Sequence, residues 1–94
     1  MSTYQDFKKK ALENPAVRAE YDKLAAEYAI KQAVIDARQA SGLTQQQLAA
    51  RTGIHQADIS KLENGSANPS LRTLQRLAAG MGMNLRIEFV PAGK

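Results

Sequence analysis

The sequence contains no cysteine and only one histidine, His55. Without cysteine the chain forms neither disulfides nor thiolate metal sites, and a lone histidine has no partner for a metal site or a nucleophilic relay. The segment Gly80-Met81-Gly82 lacks the lysine and the serine or threonine that complete a phosphate-binding loop. We therefore expect a protein that is not an enzyme and that holds no metal and no cofactor.

Long apolar runs are also missing. No apolar stretch is long enough to span a bilayer, and the opening Met-Ser-Thr-Tyr-Gln-Asp lacks the basic-then-apolar order of a signal peptide. The 94 residues suit one domain with a modest core. We expect a cytoplasmic protein with no membrane partner.

The charge is unevenly distributed along the chain. The formal net charge is +4 and the pI is about 9.6. Residues 1–28 hold five basic and five acidic side chains, whereas residues 29–94 hold eight basic and four acidic ones. A basic balance allows a nucleic-acid partner without proving one. If there is such a partner, its binding surface should lie in the second part of the chain.

Residues 43–65 are typical of two short helices joined by a tight turn. Thr44 is a favourable N-cap, and Gln47 three residues later completes a capping-box pattern, so the first helix should begin directly after Thr44. Gly53 supplies the backbone freedom needed where a chain leaves a helix sharply. The first helix should therefore end just before Gly53.

The second short helix has one apolar and one polar face. Ile59 and Leu62 are spaced to lie on one face, and Asn64-Gly65 is a helix-stop signal. Helices this short need tertiary packing, so the apolar face should point inward. Amide side chains can pair with adenine, lysine can reach guanine or phosphate, and alanine can lie against a thymine methyl group. Such chemistry is present on the opposite face, at His55, Gln56, Ala57, Asp58, Ser60 and Lys61.

A longer pattern surrounds these helices. It runs through Leu-Thr-Gln-x-x-Leu-Ala from Leu43, the turn Gly53-Ile54, then Leu-Glu-Asn-Gly from Leu62 and Asn68-Pro69-Ser70-Leu71. It resembles the helix-turn-helix of the Cro and phage-repressor family, also called XRE, over roughly residues 30–83. The resemblance implies a mostly α-helical, lambda-repressor-like helix-turn-helix bundle, with residues 29–83 as the DNA-binding domain.

The resemblance also implies a function and a set of site residues. We expect a homodimeric repressor that binds double-stranded DNA at a palindromic operator, with Gln56 and Lys61 as the best base readers. An arginine of the family's first helix commonly pairs with the glutamate of Leu-Glu-Asn-Gly, so Arg38 and Glu63 should form a structural ion pair. The expected DNA-binding residues are Gln45, His55, Gln56, Ala57, Ser60, Lys61, Asn64, Asn68, Ser70 and Arg72.

Residues 1–28 form an N-terminal extension outside this pattern. Residues 3–14 suggest a short helix, and Asn14-Pro15 is a favourable start for the next one. The second helix carries a narrow apolar stripe, defined here as Val17, Tyr21, Leu24 and Tyr28. Two interpretations of the apolar stripe remain open: extra core contact within the monomer or dimer, or a binding surface for another protein.

The apolar pattern changes phase after Tyr28. Ile30, Val34 and Ala37 form a second stripe, and Ile30 points roughly opposite to Tyr28 at about 100° per residue. The sequence therefore predicts either one helix with two apolar faces or a helix that bends near Ala29. A further helix after Ser70 should place five residues inward: Leu71, Leu74, Leu77, Ala78 and Met81.

Near the end of the chain the spacing changes from helical to alternating. Leu85, Ile87 and Phe89 alternate with polar residues up to Pro91, which predicts a β-strand. A single strand cannot satisfy its backbone hydrogen bonds in a helical monomer, so we expect residues 84–94 to pair with a second copy. Leu85, Ile87 and Phe89 are then the dimerisation residues.

The two ends of the chain together resemble one branch of the family. A C-terminal strand after the helix-turn-helix is what HigA- and HipB-type antitoxins have, and the opening Asp-Phe-Lys-Lys-Lys-Ala-Leu-Glu-Asn-Pro is similar to HigA. This resemblance implies an antitoxin that neutralises a small basic, RelE/HigB-like mRNA-cleaving toxin and represses its own operon. The alternative is a repressor without a toxin. The expected toxin-binding residues are Phe7, Val17, Tyr21, Leu24 and Tyr28.

Overall fold

The structure is a computed structural model, which describes residues 3–91. These residues form an elongated molecule of about 52 × 23 × 22 Å. It contains helices and connecting segments only. The helices are α1 (Tyr4–Ala11), α2 (Pro15–Ala40), α3 (Gln45–Thr52), α4 (Gln56–Glu63) and α5 (Leu71–Gly80).

The first two helices both begin with a side-chain cap, and the cap of α2 at Asn14 is the predicted one. The side chain of Thr3 accepts a hydrogen bond from the backbone N–H of Asp6, 3.1 Å away, and Asp6 completes the capping box. The side-chain oxygen of Asn14 accepts from the N–H of Ala16 at 2.9 Å, and Pro15 occupies the first helical position. These caps satisfy backbone donors that would otherwise have no partner within the helix.

Helix α2 is one uninterrupted helix of 26 residues, about 39 Å long at 1.5 Å per residue. The boundary predicted between residues 28 and 29 therefore falls inside a helix. Val34 is buried on the side that faces the other helices. The apolar stripe lies on another side and is 41–60% exposed, so it is not part of this chain's core. Extra core contact within the monomer is thus the wrong interpretation of the stripe.

Helix α1 lies beside the first half of α2. The amino group of Lys8 stands 4.8 Å from the centre of the Tyr21 ring, a cation–π distance. Tyr4 and Phe7 remain about 70% exposed on α1. The two helices therefore form an arm with large apolar side chains in contact with water.

The core lies among α3, α4, α5 and the second half of α2. Leu48, Ile59 and Leu77 are its fully buried side chains, one from each of the three short helices. Burial of each contributes about 1.5–3 kcal/mol relative to exposure. Val34, Ile54 and Leu62 complete the cluster. This packing fixes α3 against α4 in spite of their short length.

Helix α5 packs very closely on the end of α3. A Cβ atom at Gly80 would lie 2.4 Å from Cγ2 of Thr52, so only glycine fits there without movement. Arg51 donates to the carbonyl of Gly80, and Arg76 donates to that of Thr52 at 2.7 Å. Leu71 was predicted to point inward but is 55% exposed, because it is the first residue of α5 and lies beyond the core.

The predicted C-terminal β-strand is not found. Residues 83–91 have no regular secondary structure, and no strand occurs within residues 3–91. The alternation of apolar residues is present, but a strand also needs a neighbour that supplies ladder hydrogen bonds, and residues 3–91 offer none. Leu85 and Ile87 are exposed, and Phe89 is fully exposed.

Candidate nucleic-acid interface

Helix α3 begins and ends at the residues predicted for it. The backbone N–H of Thr44 donates to the Gln47 side chain at 2.9 Å, and the Gln47 N–H donates to the Thr44 hydroxyl at 3.1 Å. Gly53 has φ of 74°, in the left-handed region, and its N–H closes α3 on the carbonyl of Ala49. The capping box and the end of α3 are thus confirmed.

Helix α4 is anchored along one edge only. Ile59, Leu62 and Glu63 are buried, and the other side of the helix faces solvent. At about 100° per residue, Ala57 and Lys61 lie almost opposite the buried edge. All six predicted side chains of this face are exposed: His55, Gln56, Ala57, Asp58, Ser60 and Lys61.

Asp58 and Lys61, the acidic and the basic residue of this face, are not paired with each other. Asp58 lies in the first turn of α4, where the positive end of the helix dipole favours a carboxylate. The ion pairs found within residues 3–91 join other residues, so intrahelical pairing of Asp58 with Lys61 is not present. His55 is the N-cap, but its side chain makes no capping bond.

A buried ion pair holds α4 to α2. The guanidinium of Arg38 donates to both carboxylate oxygens of Glu63, at 2.6 and 2.9 Å, and to the carbonyl of Leu43 at 3.0 Å. Burial alone would raise the pKa of Glu63, but the hydrogen bonds from Arg38 and Gln45 outweigh it and hold that pKa below its ordinary value. The hydrogen bond to Glu63 raises the pKa of Arg38.

Gln45 belongs to the same network. Its side-chain N–H donates to Glu63 Oε1 at 3.1 Å, and the residue is half-buried at the start of α3. A glutamine amide has two N–H donors, and one of them is used here. The predicted phosphate contact of Gln45 therefore depends on its second donor. The sequence gives no direct sign of the hydrogen bond between Gln45 and Glu63, since the two residues are 18 positions apart in the chain.

Two other predicted DNA contacts have structural roles. The Asn64 side-chain oxygen accepts from the backbone N–H of Ser66 at 3.0 Å and so forms the turn after α4. The Ser70 hydroxyl accepts from the N–H of Thr73 at 3.1 Å and caps α5. Both residues are exposed. Their side chains are consequently held in place rather than free to rotate.

His55, Asn68 and Ser70 meet in a polar cleft of about 330 Å³ between the starts of α4 and α5. The cleft also includes Asp58 and Thr73, which no pattern in the sequence connects with this place. The position of Thr73, three residues after the Ser70 cap, is the only signal that could have found it. Arg72 is exposed but does not line the cleft.

Two short helices, a three-residue turn and an exposed polar face on the second helix define a helix-turn-helix unit. The profile of the helix-turn-helix family HTH_3 matches residues 34–87, more than half of the chain. The chain belongs to this family, which is the XRE helix-turn-helix family.

Two curated relatives each match a little more than half of the chain. One, from Haemophilus influenzae, is an uncharacterised HTH-type transcriptional regulator, 41% identical over 54 residues, which are 57% of this chain and 55% of the relative. The other, from Sinorhizobium fredii, has the same description and is 43% identical over 53 residues, 56% of this chain and 68% of the relative. The chain thus covers little more than half the length of the Haemophilus influenzae relative.

No solved structure matches the chain significantly. None of the helices within residues 3–91 has the length and apolar character needed to cross a membrane.

Proposed function

We propose that this chain is a sequence-specific, DNA-binding transcriptional repressor. The observation that supports this most is the geometry of α4, which is anchored by Ile59 and Leu62 and presents an exposed, mostly polar face to solvent. The rigid backing fixes the direction of that face, as reading base edges requires. The relatives' descriptions as HTH-type transcriptional regulators agree with it.

The side chains of α4 suit a major groove. The Gln56 amide can donate to and accept from adenine, and Lys61 can reach guanine acceptors or phosphate. Ala57, opposite the buried edge, can lie against a thymine methyl group because its side chain is short. Ser60 and His55 lie beside these residues and can donate to neighbouring bases or phosphates.

Phosphate contacts would position this helix. Asn68 and Ser70 lie together in the polar cleft, where backbone and hydroxyl donors at the start of α5 can meet one phosphate. Gln45 would contribute its second amide donor and Asn64 its side-chain nitrogen. Arg72, exposed in the first turn of α5, would add one positive charge.

A palindromic operator requires a homodimer. In a two-fold dimer two copies of α4 would enter successive major grooves about 34 Å apart. The exposed apolar residues Leu85, Ile87 and Phe89 are the surface that we assign to the contact between copies. Their burial would remove apolar area from water in each copy.

Selection of binding sites from a random duplex library tests this function directly. We expect an enriched two-fold sequence whose half-sites are one helical turn apart, and an affinity that falls as salt rises. A matched control is Gln75→Ala on the exposed side of α5, which should select the same site. Equal affinity for enriched and random DNA would contradict the proposal.

A second function is favoured by the arm of α1 and α2. Phe7 on α1 and the apolar stripe on α2 expose five large apolar side chains within a segment of zero net charge. A solvated helix face rarely has so many, whereas a face that binds another protein does. We propose that the arm neutralises a small basic, RelE/HigB-like toxin, and that the complex represses its own operon.

Co-purification with the product of the neighbouring open reading frame tests the toxin partner. Tyr21→Ala together with Leu24→Ala should abolish the complex, because both side chains lie on the apolar stripe. Glu20→Ala with Lys23→Ala, on the same helix but off the stripe, should leave it intact. If no neighbouring product binds, the chain is a repressor without a toxin, and the DNA-binding proposal is unaffected.

A further inference from the structure

An apolar groove lies between α2 and α5. Its volume is about 500 Å³, and residues 83–88 close its third side. Five residues of α2 line the groove, and three of them are alanines, Ala29, Ala33 and Ala37; Leu74 and Leu77 line it from α5. Small side chains on one wall leave space for large side chains from elsewhere.

Large apolar side chains stand directly beside this groove. Ile87 at its rim is 61% exposed, and Phe89 and Val90, the next apolar residues, are 100% and 76% exposed. Phe89 and Val90 do not line the groove of their own chain. The same patch of surface thus carries an open apolar groove and an exposed apolar segment that does not fill it.

We propose that the α2–α5 groove receives Phe89 and Val90 of a second copy of this chain. The inference rests on the homodimer of the proposed function and names the surface that receives the exposed segment. A patch with both a groove and a segment that fits it is self-complementary, which is the condition for a two-fold contact. Each copy donates one segment and fills one groove, so the contact closes at two copies.

Charge and size agree with a second copy as the occupant. Arg86 and Glu88 form an ion pair at the rim of the groove, and both side chains are mainly exposed. The rim has no net charge, so two identical rims can approach without repulsion. Fifteen residues line the groove, compared with about 20–30 a side in an interface of standard size. The dimer should therefore dissociate on dilution.

The absence of cysteine permits a direct test by site-specific disulfides. Ala33→Cys places a thiol on the exposed wall of the groove, and Phe89→Cys places one on the segment. The two variant proteins are mixed, oxidised and run on a non-reducing gel. We expect a covalent dimer from the mixture and none from either variant alone. Glu20→Cys mixed with Phe89→Cys is the control, and it should stay unlinked.

A chain that carries both substitutions identifies the occupant. A covalent dimer supports exchange between copies, whereas a covalently closed monomer shows that the segment fills its own groove and overturns the proposal. If the mixture stays unlinked while light scattering still gives the molar mass of a dimer, the proposed groove contact is overturned. The homodimer and the DNA-binding function would then remain intact. Phe89→Ser provides a second measurement: it should raise the dimer dissociation constant at least tenfold without changing the helical circular dichroism.

Discussion

Arg38 clamps the carboxylate of Glu63 with two hydrogen bonds, of 2.6 and 2.9 Å, and so joins the long helix α2 to the last turn of α4. The side chains are only 16% and 7% exposed. The same carboxylate receives the amide of Gln45 at the start of α3. One buried negative charge thereby fixes three helices around the face that we assign to DNA.

Breaking this pair should destabilise the chain strongly. Arg38→Met leaves the Glu63 carboxylate buried with only Gln45 as a partner, and we expect a loss of about 3 kcal/mol in the free energy of unfolding. The double variant Arg38→Met, Glu63→Met should lose clearly less, because no charge is left unpaired. Urea unfolding of the three proteins measures both effects. A loss below about 1 kcal/mol for Arg38→Met would contradict buried pairing.

The pair also predicts how stability depends on pH. The pKa of Glu63 lies below its ordinary value of 4.5 in the folded chain, so the folded state favours the ionised carboxyl. Its contribution is complete at neutral pH and is lost as the pH falls below about 4.5 and through the folded pKa. The double variant should lose less stability than the parent between about pH 6 and pH 3. If the free energy of unfolding fell equally with pH in the two proteins, Glu63 would not be the carboxyl whose pKa is lowered in the folded chain.

The close contact between α3 and α5 makes Gly80 a sensitive position. Gly80→Ala puts a methyl group 2.4 Å from Cγ2 of Thr52, and we expect a loss of about 1–3 kcal/mol from overpacking. Thr52→Ser removes that methyl group but keeps the hydroxyl, which donates to the carbonyl of Leu48 at 2.8 Å. In the Thr52→Ser background, Gly80→Ala should therefore cost much less. Equal costs in the two backgrounds, measured by thermal unfolding, would place the strain elsewhere.

The exposed apolar stripe should be dispensable for stability. Leu24→Ser and Tyr28→Ser each remove an exposed side chain, so the free energy of unfolding should change by no more than about 0.5 kcal/mol. Leu48→Ala, in the core, should by comparison cost about 2–5 kcal/mol. Denaturant unfolding tests this contrast. A large loss for the stripe variants would mean that the stripe is covered within the molecule.

Features that depend on neighbouring residues could be predicted from the sequence. The capping box of Thr44 and Gln47, the left-handed Gly53 and the start of α2 at Asn14-Pro15 each involve residues at most four apart. Their physical cause is local, and the structure has them as predicted. The apolar spacing of α4 likewise identified its buried edge at Ile59 and Leu62.

Features that depend on distant residues were harder to predict. The hydrogen bond from Gln45 to Glu63 joins residues 18 positions apart, and no pattern marks it. Apolar and polar residues alternate from Leu85 to Phe89 as in a strand, but a strand forms only beside another strand, and residues 83–91 have no regular secondary structure. Leu71 fits the apolar spacing of α5 and is nevertheless exposed, because spacing does not tell where the core ends.

The affinity of Gln56→Ala for the selected operator and for random DNA, measured side by side, tests the central claim most directly. Because the Gln56 side chain lies on the exposed face of α4, we predict a loss of about 1–3 kcal/mol on the operator and almost none on random DNA. The control variant Gln75→Ala should keep its affinity for both the operator and random DNA. Unchanged operator binding by Gln56→Ala would contradict the assignment of α4 as the helix that reads DNA.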